Sequence, residues 1–210
     1  MKLYIHPNSQ NARRARIVAR LAGSPVEEVH VDLPKRAQYE PAFLAMNPNH
    51  RVPVLDDGGF VLWESNAIGQ YLAAKAGRTD LWPTDPREQA DVSRWQFWCH
   101  TQWGPPLGVI QWERMMKAVF GGGPPDEAAV TAKLAELAVQ AKLLDDHLAA
   151  TDWLACGRLT LADVAIAASL TYAPALQLPL ADTPRLSAWL DRIRALDAWK
   201  DTEPSWARRA

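Results

Sequence analysis

Residues 52–76 read VPVLDDGGFVLWESNAIGQYLAAKA, and this stretch decides the fold. Val52–Leu55 is a short apolar run with β-branched residues. Asp56-Asp57-Gly58-Gly59 has the chemistry of a turn, and Phe60–Trp63 is a second apolar run. The three together predict a β-hairpin. From Ser65 the period changes. Ile68, Tyr71 and Leu72 fall on one face of a helix over Ser65–Ala76, and Gly77 stops it. Upstream, Lys2–His6 is a short apolar strand bounded by Pro7-Asn8. Asn11–Ala22 sets Ala15, Val18, Ala19 and Ala22 at helical spacing with arginines between them, and Gly23 closes it. Val26–Asp32 alternates apolar and charged residues as a strand. Tyr39–Met46 reads as a short helix ended by Asn47-Pro48. The order is β-α-β-α-β-β-α over residues 1–77, an α/β domain with a mixed sheet whose last two strands are antiparallel.

Beyond Gly77 the pattern changes. Residues 78–87 are turn-rich, carry two prolines and read as a linker. From residue 88 to 210 strand patterns vanish. Glu88–Val119 has helical period, with a kink or break expected at Gly104-Pro105-Pro106. Gly121-Gly122-Gly123-Pro124-Pro125 is a loop, and Glu127–Ala150 is rich in alanine and leucine. Leu161–Tyr172 is almost wholly apolar, as the central helix of a bundle should be. Arg185–Leu196 is amphipathic through Leu186, Trp189, Leu190 and Ile193. The second domain is therefore all-α.

Composition narrows the function classes. The 210 residues carry a formal net charge of −1, which argues against a bulk electrostatic partner such as nucleic acid or an anionic membrane. Specificity must come from a local site. No run of 18 to 20 apolar residues is available to span a bilayer, and MKLYIHPNSQ lacks the apolar core of a signal peptide. The expected setting is soluble, reducing and cytoplasmic. Cys99 and Cys156 are too few for a disulfide framework and lack metal or redox spacing. The five histidines show no metal-ligand spacing either, so no metal is expected.

Four local features each have a structural and a chemical reading. Ser9 caps the helix that follows it, or is a hydroxyl donor beside free helix N–H groups, a combination that stabilises a thiolate. Val52-Pro53 is an ordinary trans bond at a strand start, or a cis bond that frees the Val52 N–H and C=O to pair with an extended peptide. Glu64-Ser65 caps the next helix, or grips an α-amino acid end, with the ammonium on Glu64 and the carboxylate on Ser65 and the helix end. Thr160 and Asp163 have the spacing of a capping box, with Leu159 and Val164 as the hydrophobic staple, which is a structural signal. Of the ten tryptophans, Trp95, Trp98, Trp103 and Trp112 cluster in the first long helical stretch. Trp103 and Trp112, near the expected kink, and the tail from Trp206 onward are candidates to line an apolar pocket.

In combination these features carry a resemblance. The chain resembles the cytosolic glutathione transferase superfamily over essentially its whole length. The resemblance rests on HPNSQNARR at residues 6–14, NPNHRVPVL at 47–55, LWESNAI at 62–68 and LTLAD at 159–163. It implies a thioredoxin-like domain followed by a helical-bundle domain, a homodimer, and a cis bond before Pro53. It also implies that glutathione lies extended, its backbone paired with Val52 and its γ-glutamyl end on Glu64 and Ser65. Arg51, with His50 beside it, falls near the glycyl carboxylate. Gln38 falls on the loop that helps there, although Tyr39 departs from the basic residue usual at its position.

Ser9 and the residues after it look like a bacterial, serine-type, theta- or phi-like member, with Ser9 as activator and Asn11 as a second donor to the sulfur. Tyr4, inside the first strand, ranks behind them. No cysteine lies in the first 90 residues, which disfavours the cysteine-type classes. The reaction implied is conjugation of the glutathione thiolate to hydrophobic electrophiles. Glutathione is the cosubstrate, and neither a metal nor an organic cofactor is required. Peroxide reduction and dehalogenation are near variants, and a non-catalytic protein-interaction module is the alternative.

Overall fold

The computed structural model describes residues 1–204. The first strand, β1 (Lys2–Ile5), leads through a turn to α1 (Gln10–Ala22). Then follow β2 (Glu27–His30), a 3-10 turn (Ala37–Tyr39), α2 (Pro41–Met46), β3 (Val54–Asp57), β4 (Phe60–Trp63) and α3 (Ser65–Lys75). The sheet order is β2-β1-β3-β4, with β1 and β2 parallel and the other neighbours antiparallel. This is a thioredoxin-like arrangement. Leu3, Ile5, Val54 and Leu55 are buried on the two faces of the sheet, while Ile68, Leu72 and the alanines of α1 close the core.

Proline accounts for two of the boundaries that differ from the sequence reading. The helix expected from Tyr39 begins at Pro41, in the first turn where a missing N–H costs nothing. Tyr39 belongs to the preceding 3-10 turn. The strand expected from Val52 begins at Val54, because the Val52-Pro53 bond is cis and proline has no N–H for a ladder.

The chain falls into two compact units. Met1–Pro86 and the described residues from Arg194 onward form one, and Arg87–Ile193 forms the other. The sequence reading therefore needs correction at both edges. Much of the expected linker, 78–87, packs into the first unit: Leu81 is buried and Arg78 donates to Leu21 C=O. The last described residues leave the helical domain for the same unit. There the Arg13 guanidinium lies 3.8 Å from the Trp199 ring centroid and donates to Trp199 C=O at 3.0 Å. Arg16 donates to Thr202 C=O at 3.1 Å. Trp206 and its neighbours, named above as pocket candidates, lie outside the described residues.

In the second unit the helices are α4 (Pro86–Trp98), α5 (Gly104–Gln111), α6 (Lys117–Val119), α7 (Glu127–His147), α8 (Leu161–Ser169), α9 (Ala173–Leu176) and α10 (Pro184–Arg194). The short α11 (Asp197–Lys200) belongs to the first unit. The kink or break expected at Gly104-Pro105-Pro106 takes the form of a π-helical turn, Cys99–Trp103, that runs into α5. A wide turn absorbs the N–H groups the prolines lack. It also brings the backbone so close that a Cβ at Gly104 would sit 2.8 Å from Cys99 C=O.

The buried carboxylate of Asp145 on α7 caps α10. It accepts from the N–H groups of Arg185 at 2.7 Å and Leu186 at 3.0 Å, and from the Arg185 guanidinium at 3.1 Å. Burial alone would push its pKa up, but the two N–H donors and the guanidinium outweigh it and hold it below the usual carboxylate value. A depressed pKa means the carboxylate adds stability fully above its unfolded pKa of about 3.9, and loses it as pH falls through the lower folded value. Asp145→Ala is expected to cost about 2 kcal/mol at pH 7. Urea melts at decreasing pH should show that difference from wild type shrinking below about pH 4.

Candidate functional site

The strand register collects the candidate residues at one end of the sheet. β1 runs toward Ser9, and Tyr4 near its end pairs with Val54 at the start of β3. Val54 also pairs with Trp63, the last residue of β4. Ile5 pairs with His30, the last residue of β2. The turn carrying Ser9, the Val52-Pro53 bond, Glu64 and the loop carrying Gln38 therefore all leave the sheet at the same edge.

Ser9 caps α1, its Oγ accepting from Ala12 N–H at 3.2 Å. The oxygen is the acceptor in that bond, so the hydroxyl proton is still available to donate outward. The cap reading of Ser9 is borne out, and among the described residues the cap fixes the side chain while leaving its donor unused.

Ser65 opens α3 and is buried, with its Oγ accepting from Arg14 Nη1 at 2.8 Å. The same nitrogen donates to Asn11 Oδ1 at 3.0 Å. A guanidinium only donates, so it dictates how both partners turn. Asn11 presents its amide N–H groups away from the arginine, and Ser65 keeps its hydroxyl proton for another acceptor. Arg14 therefore ties the start of α1 to the start of α3 and sets two of the candidate donors at once.

Sequence reasoning gave Arg14 no role, noting only that arginines lie between the apolar residues of α1. All three of Arg13, Arg14 and Arg16 are buried. A signal was present. At about 100° per residue, Arg13, Arg16 and Arg20 fall in one stripe, and Arg14 stands roughly a third of a turn away from it, on the side of Asn11 three residues earlier.

Glu64 precedes α3 with φ 72° and ψ 112°. A non-glycine residue at positive φ is strained, and such strain gathers at functional sites. Its carboxylate is exposed and makes no capping bond. The first helical bond of α3 runs from Ile68 N–H to Glu64 C=O. The N–H groups of Ser65, Asn66 and Ala67 therefore face out of the helix end with its partial positive charge. The buried Asn66 Oδ1 also lacks a partner.

Val52 is buried at its side chain, and its N–H and C=O make no hydrogen bond among the described residues. The loop before it is organised by buried Asn47, which the sequence reading took only as a helix end and a motif residue. Its amide donates to Arg51 C=O at 2.8 Å and its oxygen accepts from Asn49 N–H at 3.0 Å. His50 adopts φ 47° and stacks on Tyr39 at 4.7 Å, so the departure from a basic residue at 39 is used for ring packing. Arg51 is exposed, and the Oε1 of Gln38 is buried without a partner. Tyr4 packs edge-on against Phe43.

In the second unit the two tryptophan candidates part company. Trp103 is fully buried, stacks on Trp98 and donates from its indole to Ser169 Oγ at 2.7 Å, so it is core and not pocket lining. Its Glu88–Val119 position did not show that Ser169 would meet it. Trp112 is 46% exposed and stacks on exposed Phe120, centroids 6.1 Å apart. Asp163 is buried and structural, as its capping-box spacing predicts. Among the described residues no three His, Cys, Asp or Glu side chains gather as a metal site, and no helix is long and apolar enough to cross a membrane.

The first unit is thus a thioredoxin-like domain with a cis-proline strand start and two helix N-termini at one end of its sheet. Comparison with known proteins names the family. The model of the glutathione S-transferase N-terminal domain matches residues 1–74, and that of the C-terminal domain residues 110–197. Glutathione S-transferase 3 of Zea mays is 35% identical, covering 96% of this chain and 92% of that protein. Glutathione S-transferase theta-1 of Mus musculus is 36% identical, over 93% and 82% of the two chains. A solved glutathione S-transferase-I bound with lactoylglutathione superimposes with a TM-score of 0.89 at 26% identity, covering 96% of this chain and 97% of that one. The chain belongs to the glutathione S-transferase family.

Proposed function

We propose that this protein conjugates the thiolate of glutathione to hydrophobic electrophiles. The observation that carries the reading is the set of unspent hydrogen-bond groups at one sheet edge: the Ser9 hydroxyl, the Asn11 amide, the Val52 backbone and the N-terminus of α3 with Glu64. The lactoylglutathione bound to the related transferase supports the same ligand class. Glutathione lies extended across this edge, its cysteinyl backbone on Val52 and its γ-glutamyl ammonium on Glu64. Its γ-glutamyl carboxylate meets Ser65 and the α3 N–H groups, and its glycyl end lies toward Gln38, His50 and Arg51. Pro53 follows Val52 at this end of the sheet.

A free thiol of pKa near 8.5 is mostly protonated at pH 7. A hydroxyl donor and a helix N-terminus together lower it by about 2 units, so that thiolate predominates. The thiolate then attacks an electrophilic carbon, and the leaving group departs with the electron pair. Nothing in this chemistry requires a metal or organic cofactor, because glutathione supplies the nucleophile.

The exposed Trp112–Phe120 pair offers apolar surface for the electrophile. The chain acts as a homodimer, a reading supported by edge strand β4, where Phe60 and Trp63 stand 51% and 40% exposed and need cover. It works in the cytoplasm, where reduced glutathione is available.

Ser9→Ala tests the assignment. The bound thiol's pKa, read from thiolate absorbance against pH, is expected to rise by about 1 to 2 units, the equivalent of one hydrogen bond to a charged acceptor. Retention on immobilised glutathione should persist. An unchanged pKa would move the role to Asn11 or Tyr4.

A further inference from the structure

The turn that delivers Ser9 is held by an acceptor that titrates. His6 C=O accepts from Ser9 N–H at 2.9 Å, closing a turn over Pro7 and Asn8. Pro7 occupies the second position, where its fixed φ suits the turn. Within the turn, Asn8 N–H donates to Nδ1 of the His6 ring at 3.3 Å. An imidazole nitrogen accepts only while it carries no proton, so this bond sets His6 as the neutral ring with its hydrogen on Nε2. A proton on Nδ1 would place donor against donor.

The surroundings hold the ring in that state. His6 is half-buried, and the His30 ring at the end of β2 lies 5.4 Å away. The groups that bear on it are His30 and Asp32, the latter paired with Lys35 at 3.1 Å. Burial first, then the His30 charge, push the His6 pKa below its ordinary value, and Asp32 opposes them more weakly. The ring is therefore neutral at pH 7, and a proton arrives only below its usual range.

We propose that His6 is a positioning residue for thiol activation: its unprotonated Nδ1 holds the turn that aims Ser9, and a proton at Nδ1 releases that turn. The inference rests on the reading of Ser9 as the thiolate donor. His6 touches neither glutathione nor electrophile in this role. It acts by fixing the backbone three residues before the hydroxyl, so its loss should appear in turnover and in the pH profile before it appears in affinity.

The test uses the full chain, glutathione and a generic aryl halide. His6→Phe keeps a ring for His30 and removes the acceptor. His6→Asn puts an amide oxygen near the place of Nδ1 and cannot titrate. His6→Phe is expected to lower kcat about fivefold at pH 7, the rate equivalent of one ordinary hydrogen bond, while the KM for glutathione stays within about twofold. His6→Asn should recover most of that loss. On the acid side, the wild-type kcat should fall below that of His6→Asn by up to about fivefold, the bounded step that a proton on His6 adds to the titration of the thiol. Equal damage in the two variants overturns the proposal, since ring packing and not the acceptor would then matter. So do an unchanged kcat in His6→Phe, acid limbs of wild type and His6→Asn that superimpose, or a loss of affinity in step with kcat. Ser9→Ala, measured alongside, separates the two levels. If it leaves the bound thiol's pKa unmoved, the reading of Ser9 falls and this inference with it. If it shifts the pKa while His6→Phe matches wild type, only the His6 assignment falls.

Discussion

Asp163→Ala is expected to destabilise the protein by about 4 kcal/mol, more than any other single carboxylate substitution considered. The carboxylate is buried and accepts from four donors. Oδ1 takes Leu154 N–H at 2.9 Å and the Trp189 indole N–H at 2.9 Å. Oδ2 takes Thr160 N–H at 2.9 Å and the Thr160 hydroxyl at 3.2 Å. Burial pushes the pKa of Asp163 up, while the donors pull the other way. One side chain thus closes the capping box of α8 and pins both the loop at Leu154 and helix α10. Alanine would leave the N–H groups of Leu154, Thr160 and Trp189 buried without acceptors, each costing about 1–3 kcal/mol. For a chain of this length the loss corresponds to a fall in Tm of roughly 12 °C. Calorimetry would check it. Asp163→Asn is the informative control: its oxygen can serve the two donors now on Oδ1 while its amide faces the Thr160 N–H and hydroxyl, so the fall should be about half as large. A fall of only a degree or two in Asp163→Ala would show that water satisfies the orphaned donors.

Asp163 also marks how far local pattern reaches. The spacing of Thr160 and Asp163 foretells the capping box, because both partners lie within one helical turn. Leu154 and Trp189 are invisible to that spacing, since only the folded bundle brings them there. The same division runs through the candidate site. Phe60–Trp63 and the helix from Ser65 were legible, because period and turn chemistry are local properties of the chain. Periodicity said nothing about the cis bond at Val52-Pro53; that expectation came from the resemblance, and the structure agrees with it. Arg14 was passed over because a helical arginine is ordinarily solvated. Its burial depends on Ser65, 51 residues away, offering an acceptor. Trp103 erred in the opposite direction. Proximity to a proline pair suggested a pocket, but the π-helical turn at Cys99–Trp103 swings the indole into the bundle toward Ser169. Properties set by neighbours in sequence were readable; those set by partners distant in sequence were not.

Glu64→Gly is expected to weaken glutathione binding by about 10- to 100-fold and, in the same protein, to raise stability. Those opposite signs follow from two facts about one residue. Its carboxylate is exposed and spends nothing on capping, so it contributes little to the fold but is placed to receive an ammonium. Its backbone sits at φ 72°, ψ 112°, where an L side chain is strained by about 1–3 kcal/mol and glycine is not. Removing the side chain therefore relieves strain and deletes a charge-assisted bond worth about 1.5–3 kcal/mol to the ligand. Glu64→Ala separates the two contributions. It should lose the same affinity but keep the strain, so its melting temperature should stay near that of wild type while Glu64→Gly melts higher. Glu64→Gln keeps an acceptor without the charge and should bind between the two extremes. Titration calorimetry with glutathione and thermal melts of the four proteins give both axes. If Glu64→Gly binds glutathione as well as wild type, the ammonium is held elsewhere and the strain at residue 64 has another cause. If binding falls and stability falls with it, the backbone at Glu64 is supported by its side chain and not strained against it. The pairing of tighter fold with weaker binding is what a residue held in place for its ligand should show.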